Sequence, residues 1–158
     1  MVYSRSKLIH GNLVTKKDAR VNIWLRMQEM NGIVRLLNTE VLFFSGTSTK
    51  AVRYSEYFFP IERIFGFHPA MPTSEPLDYD PSVENRSTIE VNLIMGIFII
   101  KGKVRISAQT DLGSMIERAH NTRFSVYDAA IGNPFLPQLP TIHTDMLLVN
   151  PTQVSFGY

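Results

Sequence analysis

VNIWLRMQEMNGIVRLLNT (residues 21–39), laid without gaps on VRISAQTDLGSMIERAHNT (residues 104–122), decides how the fold is read, because the two stretches share six identities at an offset of 83. Val21 falls on Val104, Ile23 on Ile106, Ile33 on Ile116, Arg35 on Arg118, Asn38 on Asn121 and Thr39 on Thr122. Random composition gives roughly one or two such matches.

The likeness extends outward in both directions. Leu8, Ile9 and Gly11 match Leu93, Ile94 and Gly96 at an offset of 85, and Pro60, Phe65, Gly66 and Phe67 match Pro151, Phe156, Gly157 and Tyr158 at 91. The second copy thus carries eight extra residues, around GNPFLPQLPTIHTD. Solenoid repeats are about 20 to 50 residues long and need three or more copies, so two longer copies indicate a duplicated small domain. The resulting expectation is a mainly β fold of two tandem small β-barrel-like repeats, each with one short helix, packed as a pseudo-two-fold pair. Residues 1–67 form the first repeat, 68–92 a Pro-rich acidic connector and 93–158 the second repeat. A module of about 60 residues is marginal alone, which is why the copies are expected to pack together.

Local patterns fill in the elements. Residues 7–14 read as a strand interrupted at Gly11. Residues 20–27 alternate, so a strand there puts Val21, Ile23, Leu25 and Met27 on one face and Asn22, Trp24 and Arg26 on the other. Met30, Ile33, Val34 and Leu37 have helical spacing, as do Leu112, Met115, Ile116 and Ala119 behind a cap at Thr110. Asn38-Thr39 and Asn121-Thr122 then fall at helix-to-strand junctions, where asparagine tolerates left-handed backbone. Strands follow in TEVLFF and TRFSVYDA, and a terminal strand begins near Pro60 and near Pro151, with Arg63 in an apparently inward position. VNLIMGIFII reads as a buried strand in which Gly96 marks a bulge or a close backbone approach; its ten residues fall short of the roughly 20 that span a bilayer.

Composition narrows the function classes. The chain has no cysteine, which excludes disulfides and thiolate metal sites. Its first residues, MVYSRSKLIH, lack the apolar run of a signal peptide, so the expected location is cytoplasmic. Residues 1–67 hold ten Lys/Arg against five Asp/Glu, a weakly basic half without a charge run. Catalytic signatures such as GxSxG, a phosphate-binding glycine loop or HExxH do not occur, so no enzyme activity and no cofactor is expected. The four histidines, His10, His68, His120 and His143, lack metal-ligand spacing, although folding could bring His68 to His143. Asp78, Asp80 and Glu84 lack the glycine and alternation of a calcium loop, and no metal is expected.

Arg20, Asn22, Trp24 and Arg26 would project basic, amide and aromatic groups from one strand, a combination suited to stacking a base and neutralising phosphate. The second copy offers Lys103 and Arg105 without an aromatic.

The order strand, strand, connection, strand, strand, closing in PIERIFGF or PTQVSFGY, resembles the small, strongly bent β-barrels of the Sm-like and SH3-like kind. Neither copy has the aspartate followed by Met-Asn of the Sm RNA pocket, so those RNA-binding residues are not carried over. The strings LLNTEVLFF, EYFFPIERIFGFHPA, EPLDYDP and VYDAAIGNPFLPQ resemble an uncharacterised bacterial family of duplicated proteins of unknown function, a likeness that implies no activity.

The leading functional expectation is a non-enzymatic interaction or regulatory module that binds a protein partner through Trp24 and through loops holding Phe58-Phe59 and Phe135-Leu136, where large apolar residues lie beside proline. RNA or nucleotide binding through Arg20, Trp24, Arg26, Lys103 and Arg105 is the first alternative. A small-ligand or enzymatic site at the interface between the repeats is the second. Self-association is compatible with each.

Overall fold

Among the described residues (1–15, 20–27, 32–70, 76–80, 82–119 and 122–157 of the computed structural model), the chain runs β1 (Val2–Tyr3), β2 (Lys7–Leu13), α1 (Val21–Met27), β3 (Ile33–Ser45), β4 (Ser48–Pro60), a 3₁₀ turn (Ile61–Arg63) and β5 (Gly66–Phe67). It then runs β6 (Arg86–Met95), β7 (Phe98–Ser107), α2 (Leu112–Arg118), β8 (Phe124–Gly132), β9 (Ile142–Val149), a second 3₁₀ turn (Pro151–Gln153) and β10 (Ser155–Gly157). The protein is therefore mainly β. The strands form one ten-stranded antiparallel sheet in the order β10-β6-β7-β8-β9-β5-β1-β2-β3-β4.

The same series of elements occurs twice, but not in the expected register. Val21 begins a helix whereas Val104 lies in β7, so the offset of 83 does not align equivalent elements. Helix α1 corresponds to α2, and the first 3₁₀ turn to the second, at spacings of 91 and 90 residues. Within the sheet the halves have the orders β5-β1-β2-β3-β4 and β10-β6-β7-β8-β9, each with its last strand beside its first. Identities at the shorter offset paired apolar positions of a helix with those of a strand.

Helix α1 replaces the strand expected over residues 20–27. A strand would bury Ile23 beside Leu25, yet Ile23 is 46% exposed and Leu25 only 1%. Helical spacing brings Val21, Trp24 and Leu25 to one side, where they join the core of the first half. The reverse exchange follows, because the helix expected over Met30–Leu37 is the beginning of strand β3. Val34 and Leu36 are buried between exposed Ile33 and Arg35, the two-residue period of a sheet with one covered face. Met30 lies outside the described residues. In the second half the helix expectation holds: α2 is capped by Asp111, one residue beyond Thr110, whose carboxylate accepts from Ser114 N at 2.8 Å.

A glycine-centred bulge recurs in each half. The β2–β3 register shifts between His10 and Asn12, around Gly11, and the β7–β8 register shifts between Lys101 and Lys103, around Gly102. Opposite them Asn38 and Asp128 both have φ 49°, the left-handed conformation that Asn and Asp tolerate. Asn38 thus sits within a strand and not at a helix end; Asn121 lies outside the described residues. A Cβ on Gly102 would stand 2.9 Å from Tyr127 O, and one on Gly11 would stand 3.2 Å from Leu37 O. Gly96, with φ 60°, turns the β6–β7 hairpin, so VNLIMGIFII is two strands and not the single buried one expected; a Cβ at Gly96 would meet Arg5 O at 2.6 Å, a close backbone approach.

The expected terminal strands are mostly 3₁₀ turn. Ile61 is buried in the first turn while Arg63 faces outward, which removes the inward arginine read from strand alternation. β5 then pairs with β1 on one side and with β9 on the other, joining the halves. β6 begins at Arg86, within the stretch expected to be connector.

Two apolar cores lie on the covered faces. Val91, Leu93, Ile100, Val104, Val126 and Leu147 anchor one; Ile9, Leu25, Val34, Val41, Ile61 and Ile64 anchor the other. Each takes in a residue from the opposite half: Tyr3 joins the second-half core and Leu148 joins the first-half core. Burial of one such side chain contributes about 1.5–3 kcal/mol, so the halves are cemented by shared core as well as by the β5–β9 ladder.

Candidate functional site

At the junction of the halves, strand β8 starts with an alternating polar series. Arg123, Ser125 and Tyr127 share one side of the chain by the two-residue period of an extended strand. The stretch before β6 brings Asp78 against them. Asp78 Oδ1 accepts from the Tyr127 hydroxyl at 2.6 Å, and Oδ2 accepts from Ser125 Oγ at 2.8 Å. Arg26, in the last turn of α1, forms an ion pair with Asp78 and donates to Ser125 Oγ at 2.5 Å. Three separate segments therefore meet on one carboxylate.

The electrostatics follow from that packing. Burial raises the Asp78 carboxyl, but the hydrogen bonds from Tyr127 and Ser125 and the charge of Arg26 outweigh it, so its pKa lies below the ordinary value. Tyr127 is pushed upward by burial, and further by its bond to Asp78 and that residue's charge. The pair is held as phenol and carboxylate.

Arg123 is 7% exposed. Its Nη1 donates to Leu25 O at 3.1 Å and its Nη2 to Ile61 O at 2.8 Å, so a buried guanidinium rests on carbonyl oxygens of the other half. Burial lowers its pKa. Both Arg123 Nε and Arg26 Nε are buried without a hydrogen-bond partner among the described residues. Arg105 reaches Asp80 O and Val83 O at 3.1 and 3.3 Å and lies 4.0 Å over the Tyr79 ring, a cation–π contact. Tyr79 in turn packs edge-on against Tyr127, with ring centroids 4.8 Å apart.

These residues border an open cavity of about 310 Å³ whose charged lining is Arg26, Arg86, Arg105, Arg123 and a single acid, Asp78. Met115, Val104 and Phe124 add apolar wall. Tyr79, Arg105 and Tyr127 also border a wider cleft of about 980 Å³ that includes Thr88, Lys103, Asp128 and Asp145. Lys103 is paired there with Asp128 at 2.9 Å.

Of the residues singled out from sequence, the fold brings Arg26 and Arg105 to the cavity, and Lys103 with Arg105 to the adjoining cleft. Trp24 is turned into the first-half core, and exposed Arg20 precedes α1 without lining the cavity. The basic and aromatic strand face expected over residues 20–27 is not formed, because that segment is helical. Phe58 and Phe59 lie in β4 and not in a loop, with Phe58 58% and Phe59 5% exposed. Phe135 is 63% exposed in the β8–β9 connection, where Leu136 is buried.

His68 is buried and bonded to the Tyr3 hydroxyl at 2.9 Å, while His143 is exposed on β9. Asp80 caps Ser82, and among the described residues no group of three His, Cys, Asp or Glu is placed to hold a metal ion. Nor is any described helix long and apolar enough to cross a membrane. Arg123, Ser125 and Tyr127 are the residues that sequence reading passed over, although their i, i+2, i+4 spacing in TRFSVYDA was available as a signal. Compared with known proteins, the chain matches no family model, no curated protein and no solved structure.

Proposed function

We propose that the protein is a binding module that takes a small phosphate-bearing molecule at the junction of its two halves. The observation that carries this is the charge of the cavity: four arginines and one carboxylate line it, and Arg26, Ser125 and Tyr127 already engage that carboxylate. Arg105 and Arg123 are met by carbonyl oxygens, which satisfy donors without neutralising charge. Guanidinium favours phosphate through paired, charge-assisted hydrogen bonds.

The reading extends to the frame around the site. We take each half as a small barrel of the Sm-like kind, a view supported by the return of the last strand beside the first in both halves. On this view the ligand binds between barrels and not within one, since Arg26 belongs to the first half and Arg105 and Arg123 to the second.

Thermal melts and calorimetric titration with pyrophosphate and with a nucleoside monophosphate, at low ionic strength, test the proposal. Binding raises the melting temperature by mass action and weakens with added salt. Arg105→Gln should lower affinity about 10-fold or more, the equivalent of one charge-assisted hydrogen bond. Arg53→Gln, which alters an exposed pair with Glu40 on β3–β4, should leave affinity unchanged. Absence of stabilisation by either phosphate compound, or equal losses in the two variants, overturns the reading.

A further inference from the structure

The joint between the halves has a counterpart that is left open at the ends of the sheet. Within the chain β5 pairs on β9, with Gly66 opposite Val149 and Phe67 opposite Leu148. At the spacing of 90 residues that relates the two 3₁₀ turns, β10 corresponds to β5 and β4 to β9. These two counterparts, β10 and β4, are the outermost strands of the sheet, with no ladder partner on their outer sides among the described residues. One end of the sheet is thus the counterpart of β5 and the other the counterpart of β9.

Burial supports the same correspondence independently. In the internal joint Leu148 is 1% and Arg123 7% exposed. Ninety residues earlier stand Phe58 and Ile33, which are 58% and 63% exposed and are the first half's most exposed large apolar side chains. Phe58 pairs with Arg35 and Ile33 with Pro60, so both lie at the same end of the β3–β4 pair. On the complementary side, α2 has no buried residue, whereas α1, which supports the internal joint through Leu25 O, buries Leu25.

We propose that copies of this chain assemble head to tail, with β10 of one copy pairing antiparallel on the outer edge of β4 of the next, Gly157 opposite Phe58 and Phe156 opposite Phe59. The occupant of the exposed edge is a second copy because the chain already pairs with itself in this manner once. The contact joins two different surfaces, so it propagates into a ring or filament and does not stop at a symmetric dimer.

Two features limit its strength. Asn150 N donates to Phe65 O at 2.8 Å in the internal joint, but its counterpart is Pro60, which has no N–H to give. Farther along β4 the edge carries exposed Lys50 and Arg53, charges that discourage strand addition and confine pairing to the Phe58 end. Association is consequently reversible and depends on concentration. This proposal does not rest on the ligand site, and its test uses no ligand.

Sedimentation velocity of the full chain over a wide concentration range should show species larger than the monomer. Phe58→Asp at one end and Gly157→Pro at the other should each give a monomer with an unchanged circular dichroism spectrum; Ile33→Asp serves as a second variant of the β4 end that leaves the ladder atoms untouched. An equimolar mixture of Phe58→Asp and Gly157→Pro should form a one-to-one dimer, because each retains one intact end. A wild-type chain that stays monomeric throughout, folded variants that remain oligomeric, or a mixture that yields no dimer overturns the proposal.

Discussion

The Tyr127 hydroxyl donates to Asp78 Oδ1 at 2.6 Å, tying the segment before β6 to strand β8. Asp78 has a folded pKa below its ordinary value of 3.8, so its contribution to stability is present above that value and is lost as pH falls through the folded pKa. Tyr127→Phe removes the strongest hydrogen bond that lowers it while burial continues to raise it. The variant should lose about 1 kcal/mol, a hydrogen bond to a partly screened charge, and its acid unfolding should begin at higher pH. Carbon-detected titration of the Asp78 carboxyl checks this directly; an unchanged midpoint would separate the two groups.

Gly102→Ala should destabilise the protein by about 1–3 kcal/mol, the cost of overpacking at a site that must shift to relieve contact. The added Cβ meets Val126 Cγ1 at 2.6 Å and the backbone oxygen of Tyr127 at 2.9 Å. Gly132→Ala is the comparison, because nothing lies within 4 Å of a Cβ there, and it should be neutral within about 0.5 kcal/mol. Urea denaturation of both variants decides the matter, and similar midpoints would contradict the bulge geometry.

The mainly β character was legible in the sequence, but the register on which the duplication was read was not the one observed, and particular residues show why. Val21, Ile23 and Leu25 satisfy a strand pattern as well as a helical one over seven residues, and only the packing of Trp24 beside Leu25 distinguishes them. Short apolar runs carry both periods. The pairing of Gly11 with Gly102 became visible only through the bulges, since neighbouring identities are few. Within the site, Arg26 and Arg105 were identified through their charge, and the spacing of Arg123, Ser125 and Tyr127 was open to reading. Asp78 stood out only as one of three connector acids, and its role as an anchor had no local signal, because its partners are brought to it by a contact across 47 to 52 residues.

His68 should make stability fall as the solution is acidified from neutral pH. Burial, with a smaller contribution from a neighbouring positive charge, lowers its pKa from 6.5 to about 4. The unfolded chain therefore takes up a proton at a pH where the folded one does not. Stability is full above the unfolded value and declines between pH 6.5 and about 4, by an amount on the order of 3 kcal/mol. His68→Gln should flatten the decline over that window even if it lowers stability overall. Denaturant midpoints measured across it check the slope, and an equally steep variant would assign the effect to another group.

Arg123 should hold the two halves together more specifically than its contribution to global stability indicates. Arg123→Met retains an apolar stem but takes the guanidinium from Leu25 O and from Ile61 O, which still accepts from Ile64 N at 3.1 Å, at a cost of about 1–3 kcal/mol. Because those carbonyls belong to the first half and the arginine to the second, the loss falls on the joint. The amide of Asn150, bonded to Phe65 O across the same joint, should then exchange with solvent through local opening and not only through global unfolding. Gly102→Ala supplies a variant of comparable overall loss whose lesion lies within the second half. Hydrogen exchange at Asn150 should accelerate more in Arg123→Met than in Gly102→Ala once both are corrected for global stability; equal acceleration would mean that the arginine stabilises the fold at large and not the seam between its halves.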